Sequence, residues 1–453
     1  MTTATLFRWI APALSLLACA LVYAIGPDEP KLRTGLALFT LIGSLWMTQA
    51  FALSITALLV PLLAVLSGVL TVRESLVSFA NPVIFLFLGG FALAAALSKH
   101  GLDKALATTM LRLAKGHAMG AAVLMFALTA VLSMWLSNTA TAAMMLPLAL
   151  GLLRDSTQPD DPQAWRTQAF VLLGLAYSAS IGGMATLVGS PPNAIAAAQA
   201  DISFAQWLQI GLPIAALMLP LMIFLLYVLL RPRLHRPVQA PAATNTFTWT
   251  PQRILTIGIF ALTVLGWVFG APLGYVLGIA HDMDTLVALL AIALLGITGV
   301  LQWEDVERQT QWGVLLLFGG GLALSQIMTT TGASLFLAES VVTGLDQAPP
   351  WLVLLALVAF VVLLTELVSN TASAALLIPI VLGLAPALGY SGASLATAVA
   401  LSASCAFMLP VATPPNAIVF ASGRVSQRTM MRIGIGVNIM AIALITLAVL
   451  AWA

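Results

Sequence analysis

Charge is what this sequence has least of. Asp, Glu, Lys and Arg make up 8% of its 453 residues, against about a quarter in a soluble domain. With a mean hydropathy of +1.05, the chain cannot solvate a globular surface, so its surface must face lipid. The short alternating segments of a β-barrel are absent. Apolar runs instead reach the roughly 20 residues that cross a bilayer as a helix. Histidine is scarce too. His100, His117, His235 and His281 fall at run ends or in loops, which argues against a buried Ser–His hydrolase or a His-bound metal. The two cysteines, Cys19 and Cys405, sit inside apolar runs and read as core thiols, with neither disulfide nor metal. Fifteen of the sixteen acids lie in loops or at run edges, leaving Glu366 alone in a buried stretch. That acid reads as structural, bonded to nearby backbone or hydroxyls, with a proton or cation relay as the alternative. No Lys or Arg lies at the centre of any run, and no acid pair suits an enzyme. No nucleic-acid partner is expected.

Apolar runs place spans near 6–25, 34–51, 54–70, 82–99, 169–188, 206–230, 254–272, 284–301, 312–331, 393–411 and 432–452. The first run continues past Cys19, which suits a span better than a signal peptide or a lipoprotein cleavage box. Two further stretches, 118–153 and 350–386, are too long for one span. Each reads as two spans or as a hairpin that enters the membrane and returns. With the N-terminus in the cytoplasm, fifteen of the eighteen Lys and Arg residues fall inside, Lys115 and Arg236 among them, and only Lys31, Arg33 and Arg73 fall outside. That asymmetry supports the orientation. The segment Leu102–Ala118 reads as a basic amphipathic helix on the inner surface, and Arg231–Arg253 as an interior linker.

What the chain does have is a polar triplet written twice. "SNTATAAMMLP" (Ser137–Pro147) returns as "SNTASAALLIP" (Ser369–Pro379), 232 positions on. "GGFALA" at Gly89 returns as "GGLALS" at Gly320, and "PPNAI" at Pro191 returns at Pro414. Three motifs in one order at nearly one spacing describe two copies of one unit. This divides the chain into N-terminal scaffold helices (1–79), a first repeat (80–230), a linker with scaffold helices (231–311) and a second repeat (312–453). Five single spans separate the starts of the copies, so the second is inverted. Inverted repeats point to an alternating-access transporter with its site at the midplane. Paired prolines remove two donors and break a helix, and such breaks are tolerated in a membrane where they line a cavity. A hairpin tip and a broken helix leave carbonyl ends, which suit Na⁺, facing N–H ends, which attract anions. A lone SNT or PPN string more often just satisfies a neighbouring helix. It is the pairing that makes these a site.

These residues also carry a family likeness. "NPVIFLFLGGFALAAALSKHGL" (Asn81–Leu102), "MWLSNTATAAMMLP" (Met134–Pro147), "LTELVSNTASAALLIPI" (Leu364–Ile380) and both PPN breaks resemble the divalent anion/sodium symporters over nearly the whole chain. The resemblance implies an all-α polytopic protein of about eleven transmembrane helices plus two re-entrant hairpins. It further implies a homodimer embedded in lipid, whose transport domains move as elevators against a scaffold in a bacterial-type inner membrane. The function implied is sodium-coupled uptake of C4-dicarboxylates such as succinate, malate and fumarate. A sodium-independent dicarboxylate exchanger, or a carrier of citrate or sulfate, is the alternative. By resemblance, one Na⁺ site uses Ser133, Ser137, Asn138 and the Gly189 backbone. A second uses Thr365, Asn370 and the backbones of Val368 and Ala412. Substrate carboxylates would meet Ser137, Asn138, Thr139, Ser190, Ser369, Asn370, Thr371, Thr413 and Pro414.

Overall fold

The computed structural model describes residues 3–113, 117–156, 163–234, 248–344 and 348–452. Lys115, His235, Arg236 and most of the interior linker lie outside the described residues. The described chain is helical throughout. Its first half runs α1 (Thr3–Ile25), α2 (Pro30–Thr48), α3 (Leu53–Leu66), α4 (Val72–Val77), α5 (Pro82–Lys99), α6 (Leu102–Leu113), α7 (Ala118–Ser133), α8 (Asn138–Ser156), α9 (Ala164–Gly183), α10 (Pro191–Ala200) and α11 (Phe204–Leu230). Its second half runs α12 (Pro251–Val268), α13 (Gly270–Leu277), α14 (Met283–Ile297), α15 (Trp303–Gln309), α16 (Trp312–Thr330), α17 (Ala333–Gly344), α18 (Pro350–Thr365), α19 (Asn370–Leu388), α20 (Gly392–Ala403), α21 (Pro414–Ala421) and α22 (Gln427–Trp452).

Among the described residues, six helical stretches are long and apolar enough to cross a bilayer, α11 and α22 being the longest single helices. Several runs that read as full spans are shorter in the structure because the chain interrupts them. The run 169–188 becomes α9, which stops at Gly183, and 393–411 becomes α20, which stops at Ala403. Helix resumes only at Pro191 and Pro414, where a missing N–H costs nothing at the first helical turn. The two overlong stretches each resolve into two helices. The α7–α8 junction is Met134–Ser137 and the α18–α19 junction is Glu366–Ser369, so both triplets sit at junctions.

Contacts recur at the spacing of the repeated motifs. A Cβ on Gly89 of α5 would stand 2.6 Å from the Ala288 side chain of α14, and one on Gly320 of α16 would stand 2.7 Å from that of Ala57 in α3. Both pairs keep the same 231-residue offset, and both are close helix crossings that a larger side chain would wedge open. Gly211 lies against the Met184 carbonyl as Gly434 lies against that of Phe407. Matched pairs also fall outside 80–230 and 312–453. Trp46 donates its indole N–H to the Leu53 carbonyl, and Trp267 donates to that of Asp284. Glu74 caps α4 through the Thr71 amide, and Asp305 caps α15 through the Gln302 amide, again 231 residues apart. The copies interlock. Helix α10 packs on α19 and α20, while α21 packs on α8 and α9.

Candidate functional site

Both junctions and both breaks line one cavity of about 460 Å³. Its wall holds Ser137, Asn138, Thr139, Gly189, Ser190 and Pro191 from the first copy. The second copy adds Val368, Ser369, Asn370, Thr371, Ala412, Thr413 and Pro414. Every residue expected in the site lines this space except Ser133 and Thr365, which lie behind it and are fully buried. The rim includes Gln49, between α2 and α3, and Gln311, between α15 and α16, both exposed. Among the described residues, no Asp, Glu, Lys, Arg or His lines the cavity.

Behind each tip the same oxygen cluster recurs. Ser133 Oγ stands 2.5 Å from Asn138 Oδ1 and 2.7 Å from the Ala179 carbonyl. Thr365 Oγ1 stands 2.7 Å from Asn370 Oδ1 and 2.8 Å from the Ala403 carbonyl. Each hydroxyl has one proton and faces two acceptors, so one close oxygen pair in each half is left for another positive centre. A Cβ on Gly183 would run into Asn138 Oδ1 and lie 3.0 Å from the Gly189 carbonyl oxygen. Gly183 therefore keeps open the place where three of the four expected ligands of the first cation converge. The fourth, Ser137, uses its Oγ to accept from the Ala140 amide at 3.2 Å, capping α8. Val368 and Ala412 both reach the wall of the second half.

Four helices begin at the cavity: α8, α10, α19 and α21. Their N–H ends are not equivalent. In α10 and α21 the first two positions are proline, so those donors do not exist. The next amides are already held, Asn193 N by the Ser190 carbonyl and Asn416 N by Thr413 Oγ1. By contrast, the opening amides of α8 (Asn138, Thr139) and α19 (Asn370, Thr371) have no i−4 carbonyl to bond. An anion in this cavity would find its backbone donors at the triplets, while the proline breaks contribute their dipoles.

Two features escaped the sequence reading. Asn193 spans the first break, its Nδ2 donating to the carbonyls of Gly183 (2.9 Å) and Thr186 (2.8 Å). Asn416 does the same to Ala406 and Leu409, each at 3.0 Å. These side chains hold the unwound segments closed, which gives the Asn of PPN a physical role; the repeated motif was the signal for it. The second feature is an aromatic cradle under the first tip. Trp135 stacks parallel to Trp267 at 6.4 Å and meets Phe260 edge-on at 5.1 Å.

Glu366 has the surroundings of a structural acid. Oε1 accepts from the amides of Phe407 (2.7 Å) and Met408 (2.8 Å) and from Asn438 Nδ2 (2.7 Å), and Oε2 accepts from the Leu409 amide at 3.0 Å. A buried carboxylate with four donors ties the α18–α19 junction to the second break and to α22. In the first copy Met134 stands at this position, and Thr186 makes the reverse tie by donating to the Met134 carbonyl. Glu366→Gln turns one acceptor into a donor facing a donor. The expected cost is about 1–3 kcal/mol, read as a lower unfolding temperature of the purified protein. An unchanged unfolding temperature would remove Glu366 from a structural role.

Residues 44–401 match the family model described as Citrate transporter (CitMHS). The chain is 48% identical to an uncharacterized transporter of Haemophilus influenzae, over 94% of this chain and 93% of that one. It is 32% identical to a sodium-dependent dicarboxylate transporter of Staphylococcus saprophyticus, over 91% and 85%. Among solved structures it resembles the YdaH transporter of Alcanivorax borkumensis, with a TM-score of 0.56, 17% identity, and 83% and 86% of the two chains covered. The MtrF efflux pump of Neisseria gonorrhoeae gives a TM-score of 0.58 at 15% identity, covering 86% and 84%. These last two likenesses concern the fold.

Proposed function

Because this chain belongs to the citrate transporter family and is a transport protein rather than an enzyme, we propose that it is a sodium-coupled symporter. Its substrates are C4-dicarboxylates, taken up across a bacterial-type inner membrane with the N-terminus in the cytoplasm. Two Na⁺ are held behind the tips, one by Ser133, Ser137, Asn138 and Gly189, the other by Thr365, Val368, Asn370 and Ala412. The dianion lies between them against the triplets, Ser190, Thr413 and Pro414. Each triplet joins the helices of a re-entrant hairpin. The hairpins and the broken helices move as an elevator against the scaffold helices, within a homodimer. In this orientation Gln49 and Gln311 lie on the cytoplasmic side, so the structure is inward-facing.

One observation carries this reading. A cavity with no ionisable lining among the described residues brings together opening amides at two helix N-termini and two oxygen pairs short of protons. The amides suit an anion and the oxygen pairs suit small hard cations, so the two ligands complement each other. The sodium-dependent dicarboxylate carrier of Staphylococcus saprophyticus supports the same pairing. The volume of about 460 Å³ also admits citrate, which the family's name favours as the second reading. The test is uptake of radiolabelled succinate and citrate into liposomes holding the purified protein. Accumulation driven by an inward sodium gradient is expected for succinate. Flux at zero sodium that needs internal dicarboxylate would replace symport with exchange.

A further inference from the structure

The two copies are not in the same state, and the difference shows in which side chains meet two glycines. In the first copy, Val188 packs onto α5 so closely that a Cβ on Gly90 would stand 3.0 Å from its Cγ1. Gly321 of α16 occupies the matching place in the second copy, 231 residues on. A Cβ there would stand 3.1 Å from Ala375 of α19. The residue equivalent to Val188 is Val411, one before the matching Ala-Thr-Pro-Pro break, and it is 83% exposed. The residue equivalent to Ala375 is Ala143 of α8, and it too is exposed. Each glycine thus meets one of two candidates, and the copies choose oppositely. Leu367, equivalent to the cradled Trp135, is likewise 73% exposed.

Val411 does not face lipid, because it lines the same cavity as Ser369, Asn370 and Thr413. An aliphatic side chain standing in water beside a polar site gains free energy by finding a partner. The α8 face around Ala143 is open as well. Ala140, Met144 and Pro147 border a separate cavity of about 480 Å³ that also touches Ser98 and Gln309. The counterparts of these three residues on α19, Ala372, Leu376 and Pro379, are all buried.

We infer that Gly90 and Gly321 are alternating seats. When the site faces the other side of the membrane, Val411 seats on Gly321 and Ala143 on Gly90, while Val188 and Ala375 are released. The exchange rests on the alternating-access reading above and adds to it the contacts that define each end state. Glycine is needed at both seats because each must receive a Val wedge in one state and an Ala-bearing helix in the other.

The test uses cysteine pairs in a background in which Cys19 and Cys405 are replaced by serine. Gly321→Cys with Ala375→Cys should form a disulfide in the inward-facing state, the separation being within reach of a Cβ–Cβ span of about 3.8 Å, and should arrest uptake. Gly321→Cys with Val411→Cys should form one only when the protein cycles, and should also arrest uptake. If the first pair closes and stops transport while the second never closes during turnover, the alternating seats are wrong and alternating access stands. If the first pair closes and uptake continues, the α16–α19 contact does not open and both readings fall. A single variant covers the case in which a glycine replacement misfolds. Val411→Ala weakens only the outward state, so cytoplasmic labelling of Ala143→Cys should rise several-fold under turnover. Unchanged labelling would overturn the proposal.

Discussion

Asn138→Ala and Asn370→Ala should each abolish sodium-driven uptake while leaving a folded, inserted protein. Each Oδ1 stands within hydrogen-bond distance of a buried hydroxyl, Ser133 in one half and Thr365 in the other. In the proposed mechanism each amide also bridges a cation and the substrate. Truncation removes an oxygen from the cation and the tip's only polar side-chain contact with the hydroxyl behind it. A hydrogen bond to a charged partner contributes about 1.5–3 kcal/mol. Losing it for cation and substrate together predicts a fall of about a hundredfold or more, at 1.4 kcal/mol per factor of ten. Folding should survive because both side chains are only half-buried and neither fills the core. The measurement is initial uptake rate together with elution profile and membrane insertion. Wild-type uptake by either variant would remove that triplet from the site.

Much of this site was legible because membrane helices rarely break without reason. Two consecutive prolines and a Ser-Asn-Thr run stand out against an apolar background, and their recurrence at nearly one offset paired them. Contacts that the chain closes over long distances were not legible. Nothing near Glu366 announces that its partners are the amides of Phe407, Met408 and Leu409, some forty residues on, and Asn438, 72 residues on. The matching of the Thr71 cap with the Gln302 cap was hidden for another reason. The geometry repeats there while the residue types do not. Thr71 and Glu74 perform with one pair of side chains what Gln302 and Asp305 perform with another. The two glycine seats are half legible: "GG" repeats in the sequence, but which residue meets each glycine is set by long-range packing, Val188 in one copy and Ala375 in the other.

Sodium should tighten succinate binding, and succinate should tighten sodium binding by the same factor. Succinate is mostly a dianion at neutral pH, and among the described residues no basic side chain lines the cavity. Burying an unpaired charge costs several kcal/mol even after relaxation. A helix N-terminus returns at most about 2 kcal/mol in good partly buried geometry. Of the four that meet here, α10 and α21 open with paired prolines that remove their first donors. The Glu366 carboxylate beside Thr365 adds negative charge, although its four hydrogen bonds already hold it. Helix ends alone are therefore too weak for a dianion. Two Na⁺ at the oxygen clusters would cancel the two substrate charges. Reciprocity follows from linkage, and a coupling of about 1–3 kcal/mol corresponds to roughly 5–150-fold in affinity. The measurement is equilibrium binding of labelled succinate to the purified protein in sodium and then in choline at equal ionic strength. The same titration is then run for sodium with and without succinate. Equal succinate affinities in the two salts would refute the charge balance and leave an exchanger that binds its anion by hydroxyls and helix ends alone.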